Sequence, residues 1–328
     1  MHTYYYYSQN MKKILVVGAG GQIGMELVPH LQKRYGYDHV IAADVKPELC
    51  NKLKMTAITE QFDALDAEVY ARIVQKYRID SIFNLVALLS ANGEKNPQLA
   101  WQVNIGALLN SLEIAREYGS ALFTPSSIGA FGDTTPHQNT PQETVMRPGT
   151  IYGVCKVTGE LISDYYHARY GVDTRSVRFP GIISNGALPG GGTTDYAVEI
   201  FYEAIQNRRF VCPLPPNSYL DMLYMPDALN ACTQLMEADP AKLIHRNSFN
   251  VTAMSFCPAD LYADVKKRIP QFEMEYRVNP VMEKIAASWP DSMDDSCARS
   301  EWGWNPVWDR QMMVDDMLKV LSAKLSAV

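Results

Sequence analysis

A doubly wound parallel α/β sheet with a smaller C-terminal lobe follows from three features of the 328-residue sequence. Short apolar runs alternate with segments of helical period. A glycine-rich loop separates the first run from the first helix. The texture of the chain changes after Phe179-Pro180-Gly181. Strands of a parallel sheet are covered on both faces, so they read as continuous apolar runs rather than alternating ones. Strands that alternate with helices connect through right-handed crossovers, which stack helices on both sides of one sheet.

In chain order, residues 12–17 form the first expected strand, closing at Gly18, and a helix runs from about residue 22 to 34. A second strand, residues 40–43, ends at Asp44. A helical segment over residues 67–77 precedes a third strand, residues 81–86. Residues 101–118 place Trp101, Ile105, Leu108 and Leu112 at helical spacing. Residues 121–124 lead as a strand into Pro125-Ser126-Ser127, residues 152–170 form a helix, and 174–178 a strand. Beyond Gly181 the chain turns Gly- and Thr-rich over 188–195, is broken by Pro213, Pro215 and Pro216, and closes on a helix over 310–325. We divide it into a disordered extension (1–10, with Met11 as a possible alternative start), a nucleotide-binding domain (11–180) and a mainly substrate-binding lobe (181–328), part of which returns to the sheet.

Composition removes several classes of function. The net charge of −6 offers no basic footprint for nucleic acid. No apolar run approaches the roughly 20 residues of a membrane span, and residues 1–10 lack the apolar core of a secretory signal. The six cysteines are scattered without a Cys-x-x-Cys pair, and no two histidines fall at i, i+4, so no metal site is expected. Free thiols in a reducing compartment, the cytoplasm, are the expectation.

The loop Gly18-Ala19-Gly20-Gly21-Gln22-Ile23-Gly24 sits between an expected strand and helix. Read as Gly18-x-x-Gly21-x-x-Gly24, it permits a tight turn, close backbone approach to a pyrophosphate, and free N–H groups at a helix start. Asp44, at the end of the second strand, can accept both adenosine ribose hydroxyls and would repel a 2′-phosphate, which favours NAD over NADP. Asp63 is placed to reach the adenine or simply to face solvent, and Asp66 to cap a helix. Gln22, Ile23, Ala64, Leu85, Ala87, Asn104 and Pro180 complete the expected cofactor contacts.

Tyr152 and Lys156 lie at i and i+4, on one face of a helix. A lysine cation beside the phenol favours the phenolate, the form that accepts a proton. Ser127, 25 residues before Tyr152 on a loop after a strand, can donate to a substrate oxygen. Ser126 is open between that role and a turn hydroxyl. Asn104 is mid-helix, where asparagine needs a reason: holding Lys156 through backbone or water is one, a buried structural amide another.

These residues resemble the extended short-chain dehydrogenases, whose nucleotide domain is a Rossmann sheet. The resemblance rests on the glycine loop, Asp44, the Ser127/Tyr152/Lys156 trio and Arg178-Phe179-Pro180-Gly181. Leu88-Leu89-Ser90-Ala91, Ile128-Gly129-Ala130-Phe131-Gly132, Thr150-Ile151-Tyr152-Gly153, Gly190-Gly191-Gly192-Thr193-Thr194-Asp195-Tyr196-Ala197, Ser288-Trp289-Pro290 and Glu301-Trp302-Gly303-Trp304 are similar to the short-chain-type L-threonine 3-dehydrogenases in particular. Asn84, where histidine is expected, and Cys155, in place of serine, depart from that pattern without touching the reacting groups.

The resemblance implies metal-independent oxidation of L-threonine at its β-carbon to 2-amino-3-oxobutyrate, with hydride passing to NAD. Tyr152 would take the hydroxyl proton, Ser127 position the oxygen, and Lys156 assist the tyrosine and hold the nicotinamide ribose. Thr193 and Thr194, with N–H groups of the glycine run, are candidate carboxylate partners. Ser90 is a candidate at the polar end of the substrate. Trp289 is open between pocket wall and core packing, and the glycine run between anion site and lid hinge. A sugar-nucleotide epimerase or dehydratase is the alternative enzyme; no Lys or Arg lies between Gly181 and Asn207 to hold a nucleotide diphosphate. A non-catalytic redox sensor would not need the Tyr152–Lys156 pair. The apolar surplus at Trp101, Ile105, Tyr165 and Tyr166 points to a homodimer that pairs two helices from each copy.

Overall fold

The computed structural model describes residues 11–48, 56–186 and 192–326. The extension expected over 1–10 and the glycine run through Gly191 lie outside the described residues. Among those described, the order is β1 (Ile14–Val17), α1 (Gln22–Tyr35), β2 (Val40–Asp44), β3 (Ile58–Gln61), α2 (Ala67–Tyr77), β4 (Ser81–Asn84), α3 (Ser90–Lys95), α4 (Pro97–Tyr118), β5 (Ala121–Phe123), β6 (Ser126–Ser127), α5 (Ile151–Tyr170), β7 (Thr174–Arg175), β8 (Val177–Phe179) and β9 (Gly181–Ile183). There follow α6 (Tyr196–Gln206), β10 (Arg209–Cys212), β11 (Leu220–Tyr224), α7 (Met225–Glu237), β12 (Phe249–Asn250), β13 (Met254–Phe256), α8 (Pro258–Arg268), β14 (Glu273–Tyr276), α9 (Pro280–Ala286), α10 (Ser296–Trp302) and α11 (Arg310–Ser326).

The central sheet runs β3-β2-β1-β4-β5-β7, every pairing parallel. Strand order reverses between β1 and β4, so the crevice beyond their C-terminal ends is where such a fold takes its ligand. Alternate residues serve opposite faces. Ile14, Val16, Val40 and Ala42 pack with Leu27, Leu31 and Leu229, while Leu15, Val17, Ile41 and Ala43 pack with Tyr70, Ile73, Leu108 and Leu112. All four residues of β1 are buried, as an unbroken apolar run requires.

The strand expected over 174–178 is two strands. β7 pairs with β5, whereas β8 pairs with β6 and β12 in a second parallel sheet. Ser176 turns the chain between them: its N–H donates to Arg246 O, and its carbonyl accepts from Phe249 N. A third sheet, β13-β11-β9, and the pair β10-β14 belong to the C-terminal part. A separate core there gathers Ile183, Tyr196, Phe201, Phe256, Phe272, Met313 and Leu321. Leu223, Met225, Leu235 and Phe249, by contrast, share the core of Ile14 and Val16, so part of the chain beyond 181 returns to the central sheet.

Candidate active site

The glycine loop is fixed by contacts that exclude side chains. Gly18 has φ +80°, and a Cβ there would stand 3.1 Å from the backbone of Leu85 and Val86. A Cβ on Gly24 would lie 2.6 Å from Ala19 Cα, so only glycine lets α1 approach β1 this closely. Helix α1 starts from Gly21, which contributes no capping side chain, so no side chain of its N-cap competes for the first N–H groups of the helix. The N–H groups of Gly18 and Ala19 both donate to Ala43 O at 2.9 Å. Gly20 N and Lys46 N each donate to the Asp44 carboxylate at 3.0 Å. Asp44 therefore also braces the loop that it follows. Leu85 continues β4, its N–H on Val17 O at 2.9 Å, and Ala87 is half-buried beyond it. These features fit a dinucleotide: an uncapped helix start for the pyrophosphate, and a strand-end carboxylate for the ribose.

Asp63 is exposed, its carboxylate accepting from Leu65 N, and Ala64 is buried beside it. Asp66 caps α2 through Val69 N at 3.0 Å. Pro180 joins β8 to β9 and is buried.

Tyr152 and Lys156 stand half-buried in the first turns of α5, with Lys156 Nζ 5.4 Å from the centre of the phenol ring. Lys156 Nζ donates to Pro125 O at 2.6 Å, which ties it to the end of β5. Ser127 Oγ accepts from Gly129 N at 3.1 Å and so starts the turn over Ile128–Ala130. Two glycines bring serine and tyrosine together. A Cβ on Gly129 would stand 3.2 Å from Tyr152 Cε1 and 3.4 Å from Ser127 Oγ, and a Cβ on Gly153 only 2.2 Å from Gly129 O. Sequence reasoning missed both, although each adjoins a reacting residue or its loop in the strings Ile128-Gly129 and Tyr152-Gly153.

Below this layer lies a buried polar stack. The Ser126 hydroxyl donates to Glu160, so it acts as a structural hydroxyl. Glu160 pairs with Arg178 at 2.8 Å, both side chains buried, and Arg178 also donates to Gln142 O and Asn250 Oδ1. Asn104 gives its amide to Leu88: Leu88 N donates to Oδ1 at 2.7 Å, and Nδ2 donates to Leu88 O at 3.1 Å. Of its two expected roles, the buried structural amide is the one these bonds display. Asn104 and Lys156 also line one small cavity of about 30 Å³ with Thr124 and Ser126, large enough to hold water.

The substrate-side candidates divide. Ser90 and Thr193 are buried at 5% and 4% exposure. Thr194 lies over Gly181, where a Cβ would meet Thr194 Cγ2 at 2.8 Å, next to Pro180. Asp195 holds the turn by accepting from Gly192 N at 2.6 Å. Trp289 belongs to the C-terminal core with Met293 and Ala286, so packing is the role its 7% exposure displays. Glu26, on α1, had no sequence signal. It accepts from Ser184, and a Cβ on Gly186 would strike its carboxylate at 2.3 Å. Burial raises its pKa above the ordinary glutamate value, against the Ser184 hydrogen bond and the Lys324 charge. The glycine-loop helix is thereby clamped to the start of the segment that carries Thr193 and Thr194.

Residues 14–251, more than half of the chain, match the NAD dependent epimerase/dehydratase family. The chain belongs to that family, an oxidoreductase-type Rossmann fold with NAD as its cofactor. It is 48% identical over 314 residues to an uncharacterised epimerase/dehydratase of Staphylococcus haemolyticus, covering 96% of this chain and 99% of that one. Among solved structures, the L-threonine dehydrogenase of Clostridium difficile superposes with a TM-score of 0.94 at 50% identity, covering 96% of this chain and 99% of the other. That of Trypanosoma brucei gives 0.92 at 40% identity, over 97% and 99%. A UDP-glucose 4-epimerase of Thermotoga maritima shares the fold alone, at 21% identity and a TM-score of 0.83 over 96% and 100% of the two chains.

Proposed function

We propose that this chain oxidises the β-hydroxyl of L-threonine to 2-amino-3-oxobutyrate. The carrying observation is the Ser127/Tyr152/Lys156 cluster beside the glycine loop, in a chain half identical to a threonine dehydrogenase along nearly its whole length. Bound NAD supplies the hydride acceptor. The chain does the rest: Tyr152 Oη accepts the proton of the substrate hydroxyl, and Ser127 Oγ donates to that oxygen and fixes its direction. Lys156, anchored on Pro125 O, favours the phenolate and reaches the ribose side of the cofactor. Gly18, Gly21, Gln22, Ile23 and Gly24 hold the pyrophosphate, and Asp44 the adenosine ribose. Ser90, Thr193 and Thr194 form the polar end for the amino acid; Ser90 and Thr193 are themselves buried, where a hydrogen bond to the substrate is worth more than in water.

The enzyme works as a homodimer in the cytoplasm. Of the four residues that suggested it, Ile105 and Tyr166 are buried within the chain, but Trp101 and Leu109 on α4, with Val154, Leu161 and Tyr165 on α5, are each more than a third exposed, and a second copy of the same two helices would cover them. The described cysteines are all free thiols, which suits a reducing compartment. Among the described residues no helix is long and apolar enough to cross a membrane. The decisive assay follows NADH formation with L-threonine, L-serine and UDP-glucose in parallel. Turnover on threonine supports the proposal. Conversion of UDP-glucose with no NADH released would replace it by the epimerase reading.

A further inference from the structure

Away from the elements that carry Tyr152, Ser127 and Lys156, three side chains from two other parts of the chain meet around the His245 imidazole. His245 Nδ1 pairs with the Glu301 carboxylate, whose second oxygen accepts from Ile244 N at 2.6 Å and His245 N at 3.1 Å. In the neutral ring that bond takes the proton on Nδ1, and Nε2 is then the nitrogen available as a ligand. Nε2 faces Cys297 Sγ at 3.9 Å and Glu143 Oε1 at 4.0 Å. Cys297 and Glu301 are i and i+4 on α10, so the thiol and the orienting carboxylate share one face of the helix. Ligand atoms of His245, Cys297 and Glu301 all lie within 4.8 Å of one another. Glu143 is delivered by its neighbour: Gln142 Nε2 donates to Ser248 O at 3.0 Å and its Oε1 accepts from Asn250 N at 2.9 Å, which pins that segment beside the histidine.

We propose that His245 Nε2, Cys297 Sγ and the Glu143 carboxylate form a binding site for a borderline-soft divalent metal ion of the zinc class, oriented by Glu301. The donor set is the one zinc prefers, with metal–ligand bonds of about 2.0–2.3 Å. Around a tetrahedral ion, the Nε2–Sγ gap of 3.9 Å closes by about 0.3 Å and the Nε2–Oε1 gap of 4.0 Å by about 0.6 Å, the larger shift falling on Glu143, whose side chain is 86% exposed and swings in from solvent. Carboxylate–histidine–metal is the arrangement that fixes a ligand imidazole and raises its basicity. Among the described cysteines Cys297 alone is half-buried rather than buried. Coordination releases the thiol proton to solvent and forms the metal–sulfur bond, with no change of oxidation state. The bound ion would staple the 140s segment and α10 to the strand-entry loop before β12, and leave a fourth position to water.

The test adds Co²⁺ to the purified full chain and follows thiolate-to-cobalt charge-transfer absorption. One equivalent should saturate the band, and Zn²⁺ should bleach it by competition. Cys297→Ser and His245→Gln should abolish it, while Cys50→Ser keeps it. Glu301→Gln should weaken binding by about 10–100-fold. Turnover of Cys297→Ser measured without metal should match that of the unmodified chain, which shows that the variant folds. No band in the unmodified chain, or a band that survives Cys297→Ser, overturns the site.

Discussion

The nucleotide-binding half and the C-terminal lobe keep their shape by different means. Around the cofactor crevice, backbone meets backbone: Gly24 against Ala19 and Gly153 against Gly129, both closer than a Cβ allows, with Gly18 held at φ +80° beside Leu85. In the C-terminal lobe, side chains reach across long stretches of sequence. Buried Asp221 accepts from Met293 N at 2.7 Å, 72 positions away, and from Thr252. The first design tolerates almost no change of residue type at a few positions. The second depends on the ionisation and hydrogen bonding of a few buried polar groups.

The largest expected effect breaks the first region at its chemistry. Tyr152→Phe removes only the phenol oxygen and should lower kcat by about 10²–10⁴-fold or more, while NADH binding measured by fluorescence stays intact. Near-normal turnover would remove Tyr152 from the reaction.

A steric perturbation of the same region comes next. Gly153→Ala places a methyl 2.2 Å from Gly129 O and 2.4 Å from Pro148 Cβ, so the loop or the helix carrying Tyr152 must shift. A displacement of about 1 Å can cost up to about 10²-fold in turnover, and overpacking typically costs about 1–3 kcal/mol in stability. Gly149→Ala is the control: nothing lies within 4 Å of its Cβ position. Equal loss in both variants would mean that the close contact at Gly153 is not what sets the effect.

The contrast also explains what could be read in advance. The alternation of strands and helices, the glycine loop, and the positions of Asp44, Tyr152, Lys156 and Ser127 in it depend on local spacing, which a sequence displays; the edge strand β3, with no buried residue, was not expected. Glycines leave a mark because they stand where a side chain cannot. The break of 174–178 into β7 and β8 left none, since it is made by Arg246 and Phe249 some 70 residues on. Glu26 and the Asp221 network were equally silent, because their partners, Ser184 and Met293, lie 158 and 72 positions away. Asn104 was legible as an anomaly, a mid-helix asparagine, but not as the partner of Leu88.

At the seam between the two regions a milder effect is expected. Thr194→Ala should raise the KM for threonine by about 5-fold, the worth of one ordinary hydrogen bond, and leave NAD affinity unchanged. Thr194 is the better probe than Thr193, which is 4% exposed and would report packing as well. If steady-state kinetics of Thr194→Ala overlay those of the unmodified chain, the turn is a connector and the carboxylate is read elsewhere.

The smallest effect on turnover, and the sharpest test of the second region, is Asp221→Asn. Burial pushes the Asp221 carboxyl up to about 7, against hydrogen bonds from Thr252, Met293 and Met222 and with repulsion from Asp295. A folded-state pKa above the unfolded one means that the native protein holds this proton more tightly. As pH rises through about 4, the unfolded chain releases it while the folded chain does not, so stability falls steadily until about pH 7 and then levels. The amide is neutral throughout. Its oxygen can still accept from Met293 N, and its nitrogen can donate to the Thr252 hydroxyl. The variant should therefore gain on the unmodified chain as pH rises: at about pH 5 its Tm should compare less favourably with the unmodified chain's than at about pH 8. Parallel melting curves across that range would show that Asp221 carries no extra proton, and that the lobe is held by hydrogen-bond geometry alone.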